Sequence, residues 1–155
     1  MATIAWRTLI SQAIIGGLVA GTVILIYLAA TGIPDHNIAH FFNWIPTVAF
    51  GDNALPGGSL LVIGAVMHYL VSIGWTGGYA YLAQTQTFLN KRWPISGFFY
   101  GLMIYMFMNL LLIGARAFKW PPTPLDWVNG IVTVSVFFGI PLAFVVARLD
   151  RKQTA

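Results

Sequence analysis

Four side chains able to do chemistry recur at helical spacing in one apolar stretch: His68, Ser72, Trp75 and Tyr79. Set three or four positions apart, they share one face of a helix. The surrounding run, Gly57 to Gln86, lies within a longer segment between Asp52 and Lys91 that has no Asp, Glu, Lys or Arg. That exceeds the roughly 20 apolar residues that cross a bilayer. An ionisable group inside such a helix marks a functional site by default, because it is costly to keep there. For an imidazole this means hydrogen bonding in a cavity, with activity that titrates near neutral pH, or ligation of a cofactor.

The composition says what must position these residues. The chain has 155 residues, of which 58% are hydrophobic and only 8% charged. Soluble domains average about 25% charged, so the surrounding solvent is mostly lipid. Four apolar runs stand out, at about 8–31, 59–85, 93–115 and 125–149. They predict an all-α, integral membrane, antiparallel bundle of four transmembrane helices in one domain spanning 1–155. The first run, longer than the 7 to 15 residues of a signal-peptide core, reads as a retained signal-anchor. Gly32, Pro34 and Asp35 end it.

Between the first two runs, Ile38, Phe41, Phe42 and Ile45 form an apolar stripe bordered by His36, His40, Asn43 and Trp44. This predicts a short interfacial helix over about 35–46, closed by Pro46. Three prolines, Pro121, Pro122 and Pro124, break the chain before the last run, which Thr123 or Asp126 would cap. Pro141 should kink that run. The net charge of +4 is a topology signal. Arg7, Lys91, Arg92, Arg148, Arg151 and Lys152 fall on one side and only Arg116 and Lys119 on the other. Both termini are therefore expected in the cytoplasm of a bacterial cell, with the protein in its inner (plasma) membrane and the interfacial helix in the first periplasmic loop. No basic run suits nucleic acid. Without cysteine, thiolate metal sites and disulfides are excluded.

Counting about nine residues inward from one end of each run, six in the third, reaches Thr22, His68, Asn109 and Ser135. At ~1.5 Å per residue these share a depth of ~13 Å. With Ser72 they predict an intramembrane polar layer in which His68 and Asn109 are the strongest pair, serving either a cavity or only packing. The glycine pairs Gly17 and Gly21, Gly74 and Gly78, and Gly97 and Gly101 are four apart, spacing that lets another helix approach closely, inside the bundle or on a partner subunit. A b-type haem would need two histidines at matching depth, and only His68 lies in a run, so His36 or His40 would have to dip inward. His36 and His40, four apart, are candidate ligands for a divalent metal ion, with Asp35 and Asp52 as oxygen donors. No carboxylate lies in the interior of a run, so neither an embedded acid–base pair nor the carboxylate of a four-span drug exporter is present.

The motif His68-x-x-x-Ser72-Ile73, followed by Gly78-Tyr79 and Ala83, and then by Trp93, Gly97-x-x-x-Gly101 and Pro121-Pro122, resembles the YagU-type bacterial inner-membrane proteins. His40-Phe41-Phe42-Asn43-Trp44 is similar to a segment of that family. The resemblance covers about half the chain. It implies a four-span inner-membrane protein and supplies no activity, cofactor or catalytic residue. Taken together, the sequence predicts a non-enzymatic structural or helix-packing subunit of a membrane complex, bound to lipid and, through its glycine faces, to itself or to other membrane subunits. The alternatives are a small permeation or ligand-binding protein with His68 facing a cavity, and a carrier of haem or metal.

Overall fold

The computed structural model describes residues 4–31, 38–50, 59–114 and 123–153, and every element among them is helical. These elements are α1 (Trp6–Thr31), α2 (Ile38–Phe50), α3 (Leu60–Thr85), the short α4 (Thr87–Lys91), α5 (Trp93–Gly114), α6 (Pro124–Val134) and α7 (Ile140–Gln153). A π-helical turn, Ser135–Gly139, joins α6 to α7. The expected four spans are all present. Trp6–Thr31, Leu60–Thr85, Trp93–Gly114 and Pro124–Asp150 are each long and apolar enough to cross a membrane. Large apolar side chains such as Ile26, Leu70, Phe99 and Leu110 stay exposed along them, the surface that hydrocarbon would solvate. The chain is thus a multi-pass membrane protein folded as an all-α four-helix bundle.

Small residues decide which helices lie closest. A Cβ on Gly17 would sit 2.6 Å from the Cα of Ile73, and one on Gly16 would sit 2.7 Å from the Thr76 methyl. These glycines let α1 lie directly against α3. On the other side, a Cβ on Gly97 would stand 2.6 Å from the Gly139 carbonyl, and one on Gly101 2.6 Å from the Cα of Ser135. Here α5 meets the fourth span backbone to backbone. Gln12 Nε2 donates 3.2 Å to the Val146 carbonyl, which ties α1 to α7. The order around the bundle is therefore α3, α1, fourth span, α5. Between α3 and α5 the backbones stay apart. The glycine faces of α1 and α5 are consumed inside the chain. Gly74 differs from the expectation: a Cβ there meets nothing within 4 Å. The face of α3 turned to α1 carries Tyr69, Ser72, Ile73 and Thr76, and Gly74 lies beside that face rather than on it. Gly78 keeps a packing role, since a Cβ there would crowd the Tyr100 hydroxyl at 2.9 Å.

The fourth span starts on Thr123, whose Oγ1 accepts from Asp126 N at 3.2 Å while Asp126 Oδ2 accepts from Thr123 N at 2.9 Å. Both expected capping residues act, as a reciprocal capping box. The break expected at Pro141 takes the form of the π-turn. Proline has no N–H to give the Phe137 carbonyl, and the Ile140 N–H reaches back five residues to Ser135 O. The turn presents Gly139 to Gly97 and Gly101.

Proline also corrects the expected end of α2. Pro46 does not close this helix, which runs on to Phe50 with Pro46 buried inside it. A proline at 46 leaves the Phe42 carbonyl without its helical donor. That carbonyl points at Gly64, where no side chain blocks its approach. Thr47 Oγ1 adds a bond of 2.9 Å to Asn43 O. Helix α2 therefore leans onto α3, as the backbone contact at Gly64 requires.

Gly64→Ala should detach α2 from α3, because its methyl overlaps a backbone oxygen, at a cost of about 1–3 kcal/mol. Gly74→Ala, with open space around it, should be neutral or should stabilise by up to about 1 kcal/mol. Thermal unfolding of the purified protein in mild detergent checks both; a Gly64→Ala protein as stable as the parent would contradict the docking described here.

Candidate functional site

His68 lies eight residues from the start of α3, about 12 Å along the helix. Its Nε2 is 3.1 Å from the Gly21 carbonyl of α1. A carbonyl can only accept, so Nε2 carries the proton and Nδ1 is left with a lone pair. The approach is possible because Gly21 has no side chain; a Cβ there would meet Ser72 Oγ at 3.0 Å. Three rings surround the imidazole edge-on: Phe41 at 5.7 Å, Phe42 at 5.9 Å and Tyr69 at 5.2 Å between centroids. Two of these come from α2, whose docking at Gly64 sets them over the histidine.

The polar layer is only partly realised. Ser72 Oγ donates 2.8 Å to the His68 carbonyl, one turn back on its own helix. Asn109 Nδ2 does the same with Tyr105 O, at 2.8 Å. Thr22 pairs with the Tyr69 hydroxyl at 3.1 Å, and Ser135 Oγ is buried with no hydrogen-bond partner among the described residues. The expected His68–Asn109 pair does not form, because each group bonds elsewhere. For Asn109 and Ser72 the physical reason is local supply: a helix offers a hydroxyl or amide the carbonyl of its preceding turn, at no cost in bringing helices together; His68 is taken up by the Gly21 carbonyl of α1.

Aromatic side chains hold α3 and α5 apart. The Trp75 ring meets Phe107 at 5.3 Å and Tyr100 at 6.4 Å, and the Tyr79 ring meets Tyr100 at 5.1 Å. Tyr100 OH donates 2.8 Å to the Trp75 carbonyl, and Tyr79 OH pairs with Ser96 Oγ at 2.7 Å. Beyond these props, toward α2, a cavity of ≈ 300 Å³ opens. Its walls are Ile24 and Leu28 of α1, Met67, His68, Val71, Ser72 and Trp75 of α3, Ile104 and Met108 of α5, and Thr133, Val134 and Phe138 of the fourth span. Phe41, Trp44 and Ile45 of α2 complete its lining. The lining is almost wholly apolar, with His68, Ser72 and Thr133 its polar residues apart from the indoles. A second cavity of ≈ 580 Å³ adjoins it nearer the start of α6 and shares Leu28, Met108, Thr133 and Val134. Asn109, Asp126 and Asn129 line this second space.

Of the residues expected to do chemistry, then, His68 and Ser72 line the first cavity, Asn109 lines the second, and Thr22 and Ser135 line neither. His36, Asp35 and Asp52 lie outside the described residues, while His40 sits exposed on the first turn of α2. Among the described residues, no three His, Cys, Asp or Glu side chains come together as a metal site. Sequence reasoning missed a buried polar cluster at the opposite end. Gln12 is fully buried; its Oε1 accepts from Gln84 Nε2 at 3.4 Å, and Gln84 Oε1 accepts from Ala5 N at 3.0 Å. A lone amide within the first apolar run was the available signal.

No family model, no curated protein and no solved structure matches this chain.

His68→Phe removes one interhelical hydrogen bond in a membrane, a loss of about 0.6 kcal/mol on average, and keeps a ring for Phe41 and Phe42 to pack against. The variant should fold with a small loss of stability, read by thermal unfolding; a collapse of the fold would mean that the bond to Gly21 holds α1 on α3.

Proposed function

We propose that this is a membrane-embedded binding protein that takes an apolar ligand from the bilayer into the chamber between α3 and α5. One observation carries the reading: a ≈ 300 Å³ apolar cavity bounded by all four spans and by α2, at the lower end of the roughly 300–1,000 Å³ of ligand sites. The scaffold reading rested on free glycine faces. Its main support weakens because Gly17, Gly21, Gly97 and Gly101 pack against this chain's own helices.

The protein belongs, on this reading, to a bacterial inner membrane with both termini in the cytoplasm. Six Lys and Arg against two support that orientation. It places α2 and the chamber in the periplasmic half. A carboxy-terminal fusion should then be fluorescent as green fluorescent protein and inactive as alkaline phosphatase; the reverse pattern overturns the orientation.

A mid-chain-brominated alkane tests the chamber, because bromine quenches tryptophan on contact and Trp44 and Trp75 both line the space. With the protein in lipid nanodiscs, quenching should saturate at low mole fractions of the probe, and Trp44→Phe should remove much of the saturable part. Val134→Phe, which fills the wall, should weaken binding about tenfold. Quenching that rises linearly, as simple partition into lipid requires, would refute the proposal.

A further inference from the structure

The chamber does not stand alone, and its neighbour has a different chemistry. The two cavities share Leu28, Met108, Thr133 and Val134 as wall residues, so they lie side by side along the bundle, one almost wholly apolar and one with polar residues in its lining. The more polar cavity carries Asn109, Asp126 and Asn129, near the end of α5 and the start of α6. From Asp126 to Phe138, which lines the apolar cavity, the fourth span advances about 18 Å. That gradient, over that length, matches an amphiphile lying along the span. Resting on the binding role proposed above, we infer that the ligand is a single-chain amphiphile whose uncharged head donates hydrogen bonds, such as a monoacylglycerol or a long-chain alcohol, with its chain in the apolar chamber.

The head follows from the groups that face it. Asp126 is a carboxylate whose Oδ2 already accepts from Thr123 N and, at 2.7 Å, from Thr123 Oγ1; it repels a carboxylate or phosphate head and accepts from a hydroxyl. Asn109 gives its Nδ2 to Tyr105 O, which leaves its carbonyl oxygen as the side chain's remaining acceptor. Asn129, five residues into α6, is half-buried and makes no side-chain hydrogen bond among the described residues, so its amide is open to a ligand in the cavity it lines. No Lys or Arg of the described residues lines either cavity. The tail follows from Ile104, Met108 and Phe138, which offer dispersion and apolar burial.

Three mid-chain-brominated probes of equal chain length separate the two readings: a monoacylglycerol, an alkane, and the fatty acid at pH 9, where its carboxylate is charged. Measured by saturable tryptophan quenching in nanodiscs, the monoacylglycerol should bind at least tenfold tighter than the fatty acid, with the alkane between them. Asn129→Leu should bring the monoacylglycerol down to the level of the alkane while leaving alkane binding and the unfolding temperature unchanged. Asn109→Leu should act in the same direction, and the more exposed Asn129 position carries the test where the buried variant fails to fold. Equal affinity for all three probes overturns the head assignment and leaves the apolar chamber standing. No saturable quenching by any of them, the alkane included, removes the chamber as well.

Discussion

The spacing between helices in this bundle is unequal, and the rest of the structure follows from that. In lipid no hydrophobic force draws one helix to another, because hydrocarbon solvates leucine as well as a neighbouring helix does. Proximity is then set by side-chain size. Glycines at 16, 17 and 21 bring α1 onto α3, and glycines at 97, 101 and 139 bring α5 onto the fourth span. Between α3 and α5 the residues are Trp75, Tyr79, Tyr100 and Phe107. With α1 close to α3 and to the fourth span, and α5 close to the fourth span, only the seam between α3 and α5 is propped open. The chamber lies in the space that remains.

The same rule about backbone groups in lipid explains both irregularities of the helices. Pro46 and Pro141 each leave a carbonyl without its usual donor, and each break is placed against glycine. The Phe42 carbonyl faces Gly64, and the π-turn before Pro141 faces Gly97 and Gly101. A helix that has lost one internal bond can change its local path, and a neighbour without a side chain can accept the displaced backbone. In α2 this has a consequence for the site: the docking at Gly64 lays Phe41 and Phe42 against His68. The imidazole sits between a glycine carbonyl on one helix and two phenyl rings on another, so α1, α2 and α3 meet at this residue, which also lines the cavity.

The four spans, the capping residues Thr123 and Asp126, and the close approach at Gly17, Gly21, Gly97 and Gly101 were legible from the residues alone. Each rests on a local property: length of an apolar run, the type of a first-turn residue, or the absence of a side chain at helical spacing. His68 and Ser72 were legible as members of one face for the same reason. What was not legible was partnership. Asn109 and His68 share a depth in the sequence count, yet Asn109 bonds to its own helix and His68 to Gly21. Depth is one coordinate; a hydrogen bond also needs the rotation of both helices, and that depends on every neighbour.

The sequence by itself determined that this polypeptide has four helices long and apolar enough to cross a bilayer and which stretches form them, because those are questions of hydration answered residue by residue. Only the tertiary structure decided that Pro46 continues a helix, that Gly74 meets no neighbour while Gly64 receives a carbonyl, and that aromatic props leave an apolar chamber beside a more polar one. Those outcomes depend on the order of helices around the bundle, and a linear pattern carries no information about which face meets which until the backbones have packed.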